Sequence, residues 1–262
     1  MQQSPAPEIS RVLEGQIALV TGASSGLGRR FAETLAAAGA RVAVAARRAD
    51  RLDDLVATIE ARGGKAVAIA LDLMDPVAIV AAVDRAEAAL GGPVTILVNN
   101  AGISEARSAL KQSVEEMDRL YAVNVRAPFL LAQKVAGGLI DAGRKGRIIN
   151  ISSIGAFNYD GKIACAMYVA TKSAVVRLTE ALSVEWAPKG ISVNAIAPGF
   201  FRSEMSAASI ERQGEEVFAS IMPRKRIAEP HMLDSTLLYL ASPASEGVTG
   251  TCIKVDDSQL PR

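Results

Sequence analysis

Short apolar runs alternate with longer amphipathic segments along almost the whole chain, and this alternation narrows the possible folds more than any single motif. The runs are Ile17–Val20, Val42–Ala45, Val67–Ala70, Ile96–Val98, Ile148–Ile151, Ile191–Ile196 and Cys252–Val255. None shows the apolar–polar alternation of a strand with one wet face, so they read as strands of a parallel sheet buried on both sides. The segments between them predict helices over about residues 26–38, 49–61 and 76–90, from Val114 onward, across 125–139, after Met167, and over 231–241. Strand–helix alternation calls for right-handed crossovers. The expected fold is a doubly wound α/β sandwich of three layers around a mostly parallel, seven-stranded sheet. No linker, repeat or low-complexity segment divides the chain. A polar tail over residues 1–13 is expected to precede one domain over residues 14–262.

Composition removes several function classes. At 262 residues the chain is long enough for one large α/β core. Lys and Arg number 29 against 28 Asp and Glu, a net charge of +1 that makes no electrostatic case for nucleic acid or an anionic membrane. Two cysteines, Cys165 and Cys252, form no disulfide framework, and a cytoplasmic setting is the default. One histidine, His231, and no close cysteine pair argue against a zinc site, so no metal is expected. No apolar run approaches the ~20 residues of a membrane span. Met1–Ser10 has neither the basic nor the apolar region of a signal peptide.

In open α/β sheets, ligands sit beyond the carboxyl ends of the strands. Thr21, Ala46, Asp72, Asn99, Ser153 and Pro198 fall there. The first strand leads into Thr21-Gly22-Ala23-Ser24-Ser25-Gly26-Leu27-Gly28. Its glycines allow a tight turn and close approach of backbone to a diphosphate, and the helix opening near Gly26 offers free N–H groups. After the second strand an acid would accept from a ribose 2′-hydroxyl. Ala46 is followed instead by Arg47 and Arg48, whose guanidinium groups suit a 2′-phosphate and favour NADP(H) over NAD(H). The bland reading is two solvated arginines opening a helix. Farther on, Tyr168 and Lys172 are four residues apart, which places them one turn apart on a helix face. An ammonium near a phenol lowers the phenol's pKa, as an acid/base tyrosine needs. A serine hydroxyl from the preceding strand end could bind the oxygen that exchanges the proton.

Together these motifs resemble the short-chain dehydrogenase/reductase family. The resemblance runs from about Gly15 to Asp257 and rests on Thr21-Gly22-x-x-x-Gly26-x-Gly28, Asp72, Asn99-Asn100-Ala101-Gly102, Asn124, Ser153, Tyr168-x-x-x-Lys172 and Pro198-Gly199. It implies a Rossmann-type fold and an oxidoreductase that moves hydride between a nicotinamide and a ketone or secondary alcohol. Tyr168 would be the general acid/base, Lys172 would bind the nicotinamide ribose, and Ser153 would hold the substrate carbonyl. Asn124 would fix a water in a proton relay. The glycine-loop residues Gly22, Ser24, Ser25, Gly26, Leu27 and Gly28 would hold the cofactor. Asp72 and Leu73 would lie at the adenine, and Asn99, Ala101 and Gly102 at its ribose. Pro198, Gly199, Phe201 and Ser203 would hold the carboxamide. A homotetramer or homodimer is implied by analogy. Pro128, four residues past Asn124, adds a physical argument: it has no N–H to give the Asn124 carbonyl, which could then bind a water. A proline near a helix start is the bland alternative.

Fifteen positions separate Ser153 from Tyr168, a longer interval than the family's usual one. The extra length lies within Ala156–Ala166. Ser152 and Tyr159 therefore stand as weaker competitors for the serine and tyrosine roles. Phe157, Tyr159, Ile163 and Met167 are candidate walls of an apolar substrate pocket, together with Phe200 and Met205 from a lid over about residues 200–230. The bland reading of that lid is a packed surface helix pair. An NAD(H)-dependent dehydrogenase, a dehydratase or isomerase on the same scaffold, and a non-catalytic NADP-binding sensor remain alternatives. The intact Asn124, Ser153, Tyr168 and Lys172 weigh against the sensor.

Overall fold

A computed structural model describes residues 11–159 and 164–260. Its seven strands are β1 (Ile17–Thr21), β2 (Arg41–Ala46), β3 (Lys65–Ala70), β4 (Ile96–Asn99), β5 (Gly146–Ile151), β6 (Ile191–Pro198) and β7 (Cys252–Val255). They lie in the order β3-β2-β1-β4-β5-β6-β7. Every pairing is parallel, so the expected parallel sheet holds without exception among the described strands. The order reverses between β1 and β4. That topological switch point is where the chain leaves a crevice above the strand ends.

Helices α1 (Gly26–Ala37) and α2 (Ala49–Ala61) cover one face, and α3 (Pro76–Leu90) covers the other. The first face buries Phe31, Leu35, Leu52, Leu55 and Ile59 against Val20, Val42 and Val44. The second buries Ile79, Val83 and Leu90 against Ile17, Leu19 and Leu97. Strand residues therefore feed both cores in turn, which explains the continuous apolar runs. Asp75 ends the β3 loop and caps α3, accepting from the Val77 and Ala78 N–H groups, with Pro76 at the first helical position.

Two boundaries differ from the sequence reading. The helices expected on either side of Asn124 are one run. Helix α4 (Val114–Tyr121) passes through a widened turn (Ala122–Arg126) directly into α5 (Ala127–Asp141). The Ala127 N–H reaches back five residues to the Ala122 carbonyl. Pro128 is the physical cause: its ring crowds the carbonyl four residues back and it brings no N–H, and a π-type turn accommodates both. Pro128 is thus inside a helix, not at its start. The second correction concerns the N-terminal tail, which does not extend through residue 13. Leu13 is fully buried with Phe31 and Leu35. Its N–H donates to the Ala38 carbonyl (2.9 Å). A single leucine ahead of the Gly15 turn therefore closes the end of α1.

Helix α6 (Ala166–Trp186) follows β5. After β6 come α7 (Glu204–Gln213) and α8 (Glu215–Ile221), and α9 (Asp234–Ala241) precedes β7. Phe218, Ile210 and Ile227 form a small separate core joined by Phe200, Ala219 and Met222. The segment expected to form a lid contains a helix pair with its own small core.

Leu13→Ala removes a wholly buried side chain and should lower unfolding free energy by about 2–5 kcal/mol, the usual cost for a core leucine. Urea unfolding at fixed protein concentration measures this. A loss below about 0.5 kcal/mol, typical of surface positions, would place Leu13 outside the folding unit.

Candidate active site

The glycine turn after β1 is set by close approaches. Gly22 has φ +67°, and a Cβ there would lie 2.8 Å from the Ala101 Cα. A Cβ on Gly28 would lie 2.3 Å from the Gly22 carbonyl oxygen. Neither position admits a side chain. Thr21 and Asn100 brace the turn. The Thr21 hydroxyl accepts from the Asn100 and Ala101 N–H groups (3.1 Å each), and the Asn100 amide donates to the Thr21 carbonyl (2.9 Å). The cradle is therefore bare backbone over the start of α1, a form that fits a diphosphate. Ser24 and Ser25 lie beside it, and Leu27 packs against the core below.

Arg48 crosses to this loop. Its guanidinium donates to the Ser24 hydroxyl (2.9 Å) and the Ser25 hydroxyl (3.0 Å). It also donates to Glu204, at the first turn of α7 (2.8 Å). Arg51 joins the same carboxylate. Arg47 is exposed and makes no ion pair among the described residues. At the neighbouring strand end, Asp72 closes a tight turn by accepting from the Met74 N–H (3.0 Å), while Leu73 is buried.

Asn99 lies in the sheet, donating to the Asn150 side chain (2.9 Å) and to the Pro128 carbonyl (3.2 Å). Asn150 in turn donates to Thr179 of α6 (3.0 Å). This buried ladder ties β4, β5, α5 and α6 together, and among the described residues only the Asn99 Oδ1 in it accepts no hydrogen bond.

The chemistry-bearing side chains gather at the end of β5. Ser153 opens a short 3-10 turn (Ile154–Ala156), its hydroxyl accepting from the Gly155 N–H (3.1 Å). The same hydroxyl is near enough to the Tyr168 phenol to favour its charged form. Ser152 points elsewhere: it is buried, and its hydroxyl donates to the Lys172 carbonyl (2.8 Å). That separates the two competing serines. Lys172 is buried, and its ammonium donates to the Ile151 carbonyl (2.8 Å). It stands 5.8 Å from the centre of the Tyr168 ring. Asn124, in the widened turn, grips the Ile103 backbone in both directions (2.9 Å each) and donates to Thr171 (3.1 Å). A Cβ on Gly102 would come 3.3 Å from the Lys172 Nζ and 3.4 Å from the Asn124 Oδ1. Glycine there lets the backbone pass close to those two buried groups.

Burial governs both titrating groups. It pushes the Tyr168 phenol above its ordinary value; the Ser153 hydrogen bond opposes this, and Cys165 adds to the rise. Burial also lowers Lys172 to about 8. The sequence reading has the ammonium lowering the phenol's pKa. Among the chain's own groups burial is the largest influence on the phenol, and it acts in the opposite direction.

Past β6, a Cβ on Gly199 would lie 2.6 Å from the Gln259 Oε1. Gln259 clamps Phe200, accepting from its N–H (2.6 Å) and donating to its carbonyl (3.3 Å). Phe201 is buried, and Pro198 pairs with Val255 of β7. Ser203 caps α7, its hydroxyl accepting from the Ser206 N–H, and lies against Gly26. Of the candidate substrate walls, Phe157 is exposed under the Lys254 ammonium, which sits 4.6 Å from its ring. Tyr159 and Met205 are also exposed, and Met167 is half-buried. Tyr159 has no cation beside it among the described residues, unlike Tyr168. Phe200 stacks on Phe218 (4.2 Å), against the small core of α7 and α8. Ile163 lies outside the described residues. Thr21, Asn100, Thr171, Glu204 and Gln259 were not singled out for these contacts in the sequence. Asn100 and Thr171 stand inside recognised motifs and were legible there; Glu204 and Gln259 act across long loops and left no local signal.

No helix among the described residues is long and apolar enough to cross a membrane. No group of three or more His, Cys, Asp or Glu among them could hold a metal. Residues 16–214 match the family described as short chain dehydrogenase. The chain is 37% identical to a galactitol 2-dehydrogenase (L-tagatose-forming) of Cereibacter sphaeroides, over 93% of this chain and 94% of that one. It is 36% identical to a gluconate 5-dehydrogenase of Gluconobacter oxydans, with the same shares covered, 93% and 94%. A solved structure of a putative 2-deoxy-D-gluconate 3-dehydrogenase from Agrobacterium tumefaciens, with bound NADP, superposes with a TM-score of 0.86 at 37% identity, covering 97% of this chain and 99% of that one.

The lowered pKa of Lys172 has a thermodynamic consequence. Between about 8 and 10.5 the unfolded amine holds its proton while the folded one loses it, so this group's contribution to stability rises with pH. Below about 8 its burial costs the fold up to about 3 kcal/mol. Lys172→Met should therefore stabilise the protein at pH 7, and the gain should shrink by pH 10. Denaturant unfolding of both proteins at the two pH values checks this. An equal loss of stability at both would contradict it.

Proposed function

The chain belongs to the short-chain dehydrogenase/reductase family, and from that premise we propose an NADP(H)-dependent oxidoreductase that interconverts a ketone and a secondary alcohol on a polyhydroxylated substrate, a sugar alcohol or sugar acid. One observation carries the reading: the Tyr168 phenol stands beside Ser153 and one helical turn from the buried Lys172, whose ammonium is 5.8 Å from its ring centre. The bound nicotinamide supplies or accepts the hydride. The chain supplies the proton and the geometry.

In reduction, the Ser153 hydroxyl holds the carbonyl oxygen and Tyr168 gives it a proton. The phenol's raised pKa keeps that proton in place near neutral pH. In the reverse direction Tyr168 accepts the alcohol's proton. Lys172 binds the ribose, with the Gly102 backbone close beside its ammonium, and offers positive charge to a developing phenolate. Asn124 orders the far end of a proton relay, its side chain held on Ile103 and Thr171. The carbonyl of Asn124, to which Pro128 gives no N–H, is the candidate water anchor.

Gly22, Gly26 and Gly28 with Ser24 and Ser25 hold the diphosphate, and Asp72 and Leu73 meet the adenine. Asn99, Ala101 and Gly102 line the ribose. Pro198, Gly199, Phe201 and Ser203 take the carboxamide. Arg47 and Arg48 take the 2′-phosphate. Support for the phosphate comes from the place of Arg48 against Ser24 and Ser25, and from Ala46, which leaves no acid for a ribose 2′-hydroxyl. The NADP bound in the Agrobacterium structure points the same way. The polyhydroxylated substrate is supported by the galactitol and gluconate dehydrogenases among the relatives. A homotetramer or homodimer is the proposed assembly, supported by Phe129 and Val184 exposed on α5 and α6.

NADPH consumption tests this with a panel holding 5-keto-gluconate, tagatose, a 3-oxoacyl thioester and simple ketones. The keto sugars and keto acids should react fastest. Tyr168→Phe should lower turnover about 10²–10⁴-fold, the range for losing a general acid, with NADPH binding retained. Turnover of no ketone despite NADPH binding would overturn the reductase reading.

A further inference from the structure

Glu204 is the first residue of α7, next to its cap Ser203, where the partial positive charge of the helix start favours an acid. It does not face solvent alone. Its carboxylate takes a forked contact from Arg48, at 2.8 and 3.2 Å, and a further ion pair from Arg51, one turn along α2. The two arginines and the Ser25 hydroxyl hold this carboxyl down to about 2, so it is charged at every physiological pH. The Arg48 side chain thus has two loads. One edge reaches Ser24 and Ser25 of the nucleotide loop, and the other is spent on an acid from the lid. Arg47 makes no such pair among the described residues.

A phosphate monoester is a dianion that seeks the same forked N–H edge as a carboxylate. Two anions on one guanidinium either divide its donors or repel each other. A fixed acid beside a cation is also a way of selecting against a more highly charged ligand.

We propose that Glu204 is a cofactor-selectivity residue: it competes with the 2′-phosphate for Arg48 and holds the preference for NADP(H) over NAD(H) below what the arginines alone would give. This rests on the NADP(H) reading above. The neutral isostere Gln in its place would leave α7 capped by Ser203 and free the forked edge of Arg48. A cofactor without the 2′-phosphate makes no demand on that edge and should not respond.

The test uses binding, not turnover. Fluorescence titration gives the affinities of wild type, Glu204→Gln and Arg48→Ala for NADPH and NADH. Calorimetry with adenosine 2′,5′-bisphosphate and AMP isolates the phosphate from the nicotinamide. Glu204→Gln should tighten NADPH and the bisphosphate roughly three- to fivefold, in keeping with a solvent-exposed charge pair, and leave NADH and AMP unchanged. Arg48→Ala should weaken only the two phosphorylated ligands. If Arg48→Ala does so while Glu204→Gln changes nothing, or changes all four ligands alike, the competition is refuted and the NADP(H) reading stands. If wild type shows no preference for the phosphorylated ligands, the NADP(H) reading fails and the competition with it.

Discussion

A lysine ammonium buried beneath a sheet edge sets the terms for the rest of the site. Among the described residues the Lys172 ammonium donates to one partner, the Ile151 carbonyl at the last residue of β5. An amine removed from water is costly unless its surroundings compensate. The structure commits several elements to holding it there. Ser152 fastens the α6 backbone at Lys172 itself, and the Asn99–Asn150–Thr179 ladder fixes α6 against β4 and β5. Asn124 reaches the same helix through Thr171. Tyr168 then stands one turn before the amine, beside Ser153. Much of the polar content below the cleft serves to place one charge and one phenol.

The strands and most helices were legible because each is a local pattern. Unalternated runs such as Ile148–Ile151 announce double burial, and Asp75-Pro76 announces the start of α3. Legibility failed where the cause was not local. Pro128 reads as a helix breaker, yet packing against the sheet keeps the run helical and the turn around Asn124 widens instead. Leu13 looks like the end of a polar tail, and only the tertiary position of α1 makes it core. Phe200 reads as a pocket wall, but Phe218, eighteen positions away in sequence, takes its ring into the lid core.

The site divides in a similar way. Tyr168, Lys172, Ser153 and Asn124 were found from spacing and family pattern, and the structure brings them to one strand edge. The direction of the phenol's pKa shift was not legible, since spacing reveals the neighbouring ammonium and not the depth of burial. Arg48 was read as a free cation for phosphate. Its partner Glu204 comes from the start of α7, separated from it in sequence by more than half the chain. The start of α7 and the glycine turn after β1 are therefore joined electrostatically through the residue expected to recognise the cofactor.

The dependence of this site on burial, which lowers the Lys172 amine to about 8 and raises the phenol beside it, is open to direct measurement. Its most direct test is the titration of Lys172 itself, followed by NMR of the lysine 13Cε resonances, with Lys172→Met identifying the signal. A midpoint near 8 is the expected result. A midpoint at the ordinary lysine value, about 10.4, would show that the amine is solvated and that burial does not set the chemistry of this site.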